Sequence, residues 1–127
     1  MGLILDTNAL SAIAEGERGA AKQFIRARHV AIPVIVLGEY RFGIAQSLHK
    51  RKYERWLEEL LSVCRVLDVD EDTAISYAEL RGQLKEAGTP IPSNDAWIAA
   101  LCRQHALPIL SRDRHFDLVK GLRRLDW

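Results

Sequence analysis

The sequence predicts an α/β fold: one domain with a parallel sheet of about five strands and helices on both faces, in three layers. Short apolar runs alternate with amphipathic segments along the chain, which is typical of strands separated by helices. The runs are apolar throughout, as expected of strands that are buried on both faces. The 127 residues contain no repeat and no linker-like segment, which fits a single domain.

Capping residues and a proline place the helices in the first half of the chain. Thr7 and Asn8 can cap the helix after the first strand, and Pro33 fits the first turn of a later helix. Apolar residues three and four positions apart predict an amphipathic helix that begins at Lys50. The predicted elements are a strand at 3–5, helices at 9–14 and 19–28, a strand at 29–32, and helices at 33–46 and 50–64.

Glycine and proline mark the boundaries in the second half. Gly88 ends a helix, and the segment 88–93 has the composition of a loop. Ser93 or Asn94 could cap the helix that follows this loop. The predicted elements are a strand at 65–69, helices at 71–87 and 95–105, a strand at 108–110, a short helix at 114–119 and a strand at 122–126.

Composition limits the classes of function. The net charge is +1, so any contact with nucleic acid must come from a local basic patch rather than from a global field. Cys64 and Cys102 lie far apart and form neither a metal motif nor a disulfide framework, which favours reduced thiols. We see no signal peptide and no apolar run of bilayer length. We therefore expect a soluble, cytoplasmic protein.

Four carboxylates, Asp6, Glu39, Asp95 and Asp113, occupy positions where an unpaired charge would be costly. Asp6 and Asp113 each follow an apolar run that has the character of a strand. The carboxyl ends of parallel strands meet at one edge of a sheet, where ligand sites of this fold class gather. Asp95 falls in the first turn of an apolar helix, and Glu39 follows a wholly apolar stretch.

Each of these acids also has a structural explanation. Asp6 could cap the following helix, and the helix macrodipole alone would stabilise Asp95 by roughly 0.3–1 kcal/mol. Glu39 shares a helical face with Ile35 and Phe42. It is then either a buried carboxylate with a functional role or the ion-pair partner of a nearby arginine.

If the fold brings the four acids together, a hard divalent cation is their natural partner, because carboxylates at close range repel one another. Oxygen ligands favour Mg²⁺ or Mn²⁺, with one or two ions bound. Asp117 would face the same way as Asp113 in a helix and is a candidate additional ligand, although a solvated surface acid is about as common. The four histidines lack the spacing of a zinc site. The pattern therefore predicts a metal-dependent hydrolase of phosphodiesters.

The order and spacing of these motifs resemble those of PIN-domain proteins over essentially the whole chain. The resemblance rests on Leu-Ile-Leu-Asp-Thr-Asn at 3–8, Glu39, Asn-Asp-Ala-Trp-Ile-Ala-Ala at 94–100 and Leu-Ser-Arg-Asp-Arg-His-Phe at 110–116. In size, the chain resembles the VapC toxins of bacterial toxin–antitoxin pairs. The resemblance implies that residues 1–127 are a single PIN-like nuclease domain.

The family implies an endoribonuclease that depends on Mg²⁺ or Mn²⁺ and acts through metal-activated water. Asp6, Glu39, Asp95 and Asp113 match its acidic quartet. The three aspartates would form the metal shell, and Glu39 would bind metal or orient a bound water. The family often has a further acid near Asp117.

Polar and basic neighbours of the quartet are weaker candidates. Thr7, Asn8 and Ser111 match polar positions that could hold waters or phosphate oxygens. Arg112 and Arg114 flank Asp113 and could contact RNA, although a solvated face or local ion pairs would explain them as well.

The resemblance also implies partners. They are an RNA substrate, a second copy of the chain in a homodimer, and a cognate antitoxin that in this family often inserts an arginine among the acids. No membrane partner is expected. Two alternatives remain open at this stage: a PIN-like module that binds RNA or a partner without catalysis, and an aspartate-dependent phosphatase-like enzyme. The second would usually carry an aspartate where this chain has Asn8.

Overall fold

The computed structural model describes residues 1–127 and contains one five-stranded parallel sheet, in the order β3-β2-β1-β4-β5, with helices on both faces. The predicted three-layer α/β/α architecture is confirmed. The strands are β1 (Gly2–Leu5), β2 (His29–Pro33), β3 (Arg65–Leu67), β4 (Ile109–Leu110) and β5 (Arg124–Leu125). The helices are α1 (Thr7–Ala14), α2 (Arg18–Arg26), α3 (Val34–Ala45), α4 (Lys50–Leu61), α5 (Glu71–Glu86) and α6 (Ser93–His105), followed by a 3₁₀ helix (Arg114–Leu118).

The central strand β1 pairs in parallel with β2 on one side and with β4 on the other. The chain first builds the sheet outward from β1 through β2 to β3, and then returns to the other side of β1 to add β4 and β5. The strand order therefore reverses between β1 and β4. In open α/β sheets the carboxyl edge at such a reversal is where ligands bind.

The core consists of the sheet and the inner faces of the helices. β1 and β4 are fully covered, with Leu3, Ile4, Leu5, Ile109 and Leu110 all buried. Helix α6 is almost as deeply buried, since the six residues Ala96 and Ile98–Cys102 are inaccessible. The element that carries Asp95 is therefore a core helix, which packs mainly on α5.

The structure decides which residues cap two of the helices. The cap of α1 is Asp6, the second alternative that the sequence offered, and not Thr7 or Asn8; its Oδ1 accepts the backbone N–H of Thr7 at 2.9 Å. Helix α6 begins two residues earlier than the predicted start, after Pro92, and no side chain caps it. The hydroxyl of Ser93 is instead within 3.1 Å of the hydroxyl of Tyr77 on α5.

The face of α3 that was predicted to be apolar and buried is largely exposed. Its buried residues are Val36, Leu37, Tyr40 and Ile44. Glu39 is exposed, and Phe42 on the same face is 72% exposed. The prediction of a core carboxylate at Glu39 is thus wrong, because the helix is apolar on two faces and the sequence does not reveal which of them packs on the sheet.

Two other findings concern the chain as a whole. Both cysteines are free thiols: Cys102 is buried and Cys64 half-buried. None of the helices combines the length and the apolar character that a membrane crossing would require.

Candidate active site

Asp6 is the most buried of the four predicted acids, with 5% of its surface exposed at the carboxyl end of β1. Its carboxylate accepts three hydrogen bonds. Oδ1 accepts the N–H of Thr7 at 2.9 Å, while Oδ2 accepts the hydroxyl of Ser111 at 2.6 Å and the amide of Asn8 at 3.2 Å. Asp6 therefore both caps α1 and lies in the candidate site.

Ser111 joins the two strand ends at the reversal point. Its hydroxyl is inaccessible to solvent, donates to Asp6 and accepts the backbone N–H of Asp113 at 3.0 Å. Asn8 reinforces the junction, because its amide also donates to the hydroxyl of Ser111 and its Oδ1 accepts the N–H of Arg112 at 3.1 Å. These bonds fix the loop after β4 against the first turn of α1.

Asp95 and Asp113 meet on either side of a histidine. Nδ1 of His115 lies 3.0 Å from Oδ2 of Asp95 and 3.0 Å from Oδ1 of Asp113. The side chains of Asp95 and Asp113 are 16% and 30% exposed, whereas that of His115 is 47% exposed. Asp113 also caps the 3₁₀ helix, since its Oδ1 accepts the backbone N–H of His115 at 2.9 Å.

Glu39 reaches the same region from α3. Its Oε1 accepts the hydroxyl of Thr7 at 3.0 Å, next to the buried carboxylate of Asp6. Hydrogen bonds and direct sequence neighbours thus connect all four acids, from Glu39 through Thr7, Asp6, Ser111, Asp113 and His115 to Asp95. The four come from four different elements, so only the folded chain assembles them.

Burial and mutual repulsion perturb these acids. Burial raises the pKa of Asp6, an effect that the hydrogen bonds from Ser111 and Thr7 oppose and the charges of Glu39 and Asp113 reinforce. Burial also raises the pKa of Asp95 to about 6, against the hydrogen bond from His115 and with the help of the charges of Asp113 and Asp6. The hydrogen bond with Asp95 raises the pKa of His115. The site therefore disfavours the full ionisation of its carboxylates.

The side chains fit a hard divalent cation. One ligand atom each from Asp95, Asp113 and His115 lie within 4.8 Å of one another, a spacing that a single ion can span. The acids would supply oxygen ligands, which Mg²⁺ and Mn²⁺ prefer. A cation here would also offset the burial and the mutual repulsion that raise the pKa values of Asp6 and Asp95.

Two charged residues named from the sequence, Asp117 and Arg112, have contacts outside the acidic cluster. Asp117 is held by Arg124 through two hydrogen bonds of 2.8 and 3.1 Å, which lower the pKa of this carboxyl. The guanidinium of Arg112 lies 4.3 Å from the ring of Trp127 and near the carboxylates of Glu17 and Asp126, 3.9 and 3.7 Å away. The side chain of Asp117 is thus paired with Arg124, and that of Arg112 is engaged with Trp127, Glu17 and Asp126.

Arg114 differs from Arg112. It is exposed and forms no ion pair within 4.0 Å, so its guanidinium is free to contact a ligand beside Asp113.

His115 is the residue of the site that the sequence did not identify. A search for zinc-like spacing overlooks it, because its neighbours in the fold are aspartates rather than other histidines. The sequence does place His115 two residues after Asp113. Because Asp113 caps the short helix that contains His115, the two side chains lie close together.

A family model of the PIN domain matches residues 3–122 of the chain. The ribonuclease VapC5 of Mycobacterium tuberculosis is 32% identical over 120 residues, or 93% of this chain and 87% of that protein. A structure of DNA-bound VapBC from Salmonella typhimurium superposes with a TM-score of 0.87 at 28% identity, covering 100% of this chain and 98% of the other. VapBC-5 from Mycobacterium tuberculosis, described as a member of the VapBC family of toxin–antitoxin systems, superposes with a TM-score of 0.75 at 28% identity and coverages of 98% and 96%. The matched region includes every segment that carries one of the four acids.

Proposed function

The chain belongs to the PIN-domain family, and on that premise we propose that it is an endoribonuclease that hydrolyses RNA phosphodiester bonds with bound Mg²⁺ or Mn²⁺. The observation that carries the proposal is the convergence of Asp6, Glu39, Asp95 and Asp113 at the strand-order reversal. A divalent cation, when bound, lowers the pKa of water and neutralises charge that builds on phosphorus. Membership of this family removes the phosphatase-like alternative.

The protein's own side chains would divide the work between holding the cation and orienting the reactants. Asp6, Asp95 and Asp113 would hold the cation, and the hydrogen bonds of Ser111 keep Asp6 and Asp113 in a fixed relation. Glu39 is exposed beside Asp6, which suits a carboxylate that orients water toward the substrate. No side chain is required to act as a nucleophile.

Positive charge near the acids would bind the RNA backbone. Arg114 is exposed, free of ion pairs and next in sequence to Asp113, whereas Arg112 is occupied by Trp127 and its carboxylate neighbours. Contacts of arginine with phosphate give affinity without sequence choice. With a net charge of +1, the chain should bind RNA through few such contacts.

Cleavage assays with the purified chain test the proposal. We expect RNA to be cut in Mn²⁺ or Mg²⁺ and not in EDTA, leaving 5′-phosphate and 3′-hydroxyl ends. Asp6→Asn should abolish cleavage, whereas Glu86→Gln, at an exposed acid at the end of α5, should leave it unchanged. Absence of metal-dependent cleavage by the wild-type chain would contradict the proposal and favour a module that only binds.

We also propose that the chain acts in the cytoplasm as the toxin of a VapBC-type pair, with an antitoxin that covers the acidic site and with a homodimeric toxin. Relatives of similar length that superpose over the whole chain are known as VapBC complexes. An arginine of the antitoxin would suit the uncompensated carboxylates, because the guanidinium fork matches carboxylate geometry. Expression alone should arrest growth, and Asp95→Asn should not. Equal arrest by both would disprove a catalytic basis for toxicity.

A further inference from the structure

His115 turns its imidazole toward two carboxylates of the acidic site. Its side chain is 47% exposed. The turn that carries it is already closed by the bond from its backbone N–H to Asp113. The only contacts of the ring nitrogen Nδ1 are with Asp95 and Asp113. The polar contacts that orient the ring at Nδ1 are therefore those with the two carboxylates.

The distances match those of metal ligands as well as those of hydrogen bonds. Adjacent ligands of an octahedral ion with bonds of 2.0–2.1 Å are about 3.0 Å apart. Nδ1 of His115 lies 3.0 Å from an oxygen of each aspartate. Nδ1 thus has the spacing of an adjacent ligand from each oxygen, and the three atoms all lie within 4.8 Å of one another.

We propose that His115 is a ligand of the metal centre through Nδ1, beside Asp95 and Asp113, and that it gives the site a preference for Mn²⁺ over Mg²⁺. This inference rests on the proposed function, whose acids supply the remaining ligands. Mg²⁺ takes oxygen ligands and keeps most of its water, whereas transition-metal ions accept imidazole more readily. One nitrogen among carboxylates therefore favours the transition metal without excluding Mg²⁺.

Pulsed electron paramagnetic resonance of Mn²⁺ bound to the wild-type chain tests the ligand directly, since a coordinated imidazole couples its ¹⁴N nucleus to the ion. We expect this coupling in the wild type and in His49→Ala, which removes an exposed histidine without side-chain contacts. His115→Ala should lose the coupling. Its affinity for Mn²⁺ should fall at least about tenfold, the lower end of what even outer partners of metal ligands contribute. Its preference for Mn²⁺ over Mg²⁺, measured by competition, should shrink.

The outcomes separate this inference from the proposed function. Mn²⁺ that binds the wild type without nitrogen coupling, and binds His115→Ala equally or more tightly, would show that the imidazole competes with the ion. That result overturns the inference and leaves the acidic site intact. If the wild type binds no Mn²⁺, or Asp95→Asn binds it as tightly as the wild type, the proposed function itself fails. The measurement on the wild type needs no substitution, so a variant that fails to fold does not obscure the result.

Discussion

At the scale of single residues, Ser111 links more groups of the candidate site through its hydroxyl than its size suggests. It is the one side chain that contacts Asp6, Asn8 and the backbone of Asp113 together, and it does so while fully buried. A hydroxyl suits this position because it can donate to a carboxylate and accept from an N–H at the same time.

Replacing Ser111 with alanine should weaken both the fold and the site. The buried oxygen of Asp6 and the N–H of Asp113 each lose a partner, and an unsatisfied buried polar group costs about 1–3 kcal/mol. We expect that loss in the free energy of unfolding, measured with urea, together with weaker Mn²⁺ binding. Ser62→Ala removes an exposed hydroxyl that bonds only to the carbonyl of Glu59 and should change neither quantity. Unaltered stability in Ser111→Ala would mean that water or neighbouring groups replace the hydroxyl.

Asp117 gives a second prediction, because its ion pair with Arg124 competes with a role as metal ligand. Asp117→Asn should leave Mn²⁺ affinity unchanged, since the carboxylate is committed to the guanidinium of Arg124. Asp95→Asn, assayed by the same titration, should lose Mn²⁺ binding. A comparable loss in both variants would make Asp117 a ligand after all.

The sequence predicted the region of these acids better than their surroundings. Asp6 and Asp113 could be placed at one sheet edge because strand ends are visible as apolar runs. The resemblance named Ser111 as a polar neighbour but not as a partner of Asp6, and it did not name His115. The bonds of Asp6 to Ser111 and of Asp95 to His115 join positions 105 and 20 residues apart, so the local sequence pattern does not reveal these pairs. Likewise, the exposure of Glu39 depends on which face of α3 the sheet covers, which is a property of packing and not of the helix itself.

At the scale of elements, α5 and α6 are joined by a polar cluster at the start of α5, in which only Thr73 is fully buried. Thr73 and Asp70 form reciprocal side-chain and backbone hydrogen bonds, with Asp70 as the cap. The fully buried hydroxyl of Thr73 lies 2.5 Å from Oε1 of Gln104, near the end of α6. The cluster therefore fixes the helix that carries Asp95 against its neighbour.

Thr73→Val keeps the shape of the side chain and removes its hydroxyl. We expect a loss of about 0.5–1.5 kcal/mol in the free energy of unfolding, because Asp70 and Gln104 each lose a hydrogen-bond partner but remain accessible to water. Thr89→Val is the matched control, since the side chain of Thr89 forms no hydrogen bond and only its N–H is bonded. Chemical denaturation of both variants measures the difference. If the two variants are equally stable, the hydroxyl of Thr73 does not contribute to the free energy of unfolding.

Element types were predictable here, and element ends were less so. Every predicted strand and helix is present, because burial on both faces and amphipathic spacing leave different patterns in the sequence. The start of α1 differs from the prediction because a polar residue there has two roles. Asp6 caps α1 and serves the site as well, so α1 begins earlier than its apolar pattern suggests.

At the scale of the whole molecule, the acidic site opposes folding when no cation is bound. The pKa of Asp95 is about 6 in the folded chain against an ordinary value of 3.8, so folding takes up a proton between these pH values. The free energy of unfolding should therefore fall as the pH rises from about 4 to 6. The raised pKa values of Asp6 and His115 act in the same direction, since stability is lost as each group deprotonates. Denaturation in EDTA at pH 4.5, 6 and 7.5 should show this fall, and Asp95→Asn should show less of it.

A divalent cation should reverse that loss. A ligand that binds only the folded state stabilises it by about 2.7 kcal/mol at a hundred times its dissociation constant. Mn²⁺ should therefore raise the melting temperature of the wild type at pH 7.5, and should do so less at pH 5, where Asp95 holds a proton. An equal increase in Asp95→Asn would mean that Mn²⁺ binds elsewhere on the surface.

The contacts between the first turn of α1 and the loop after β4 also fix the order in which the protein becomes functional. Asp6 and Asn8 bond to residues 105 and 104 positions later, and β1 gains its neighbour β4 only then. A chain emerging from the ribosome exposes its amino-terminal part first. Asp6 is thus made before Ser111 and Asp113, and the site stays incomplete until the loop after β4 has been made. On the proposed function, a nascent chain cannot cleave RNA at this site before that loop has folded against the first turn of α1.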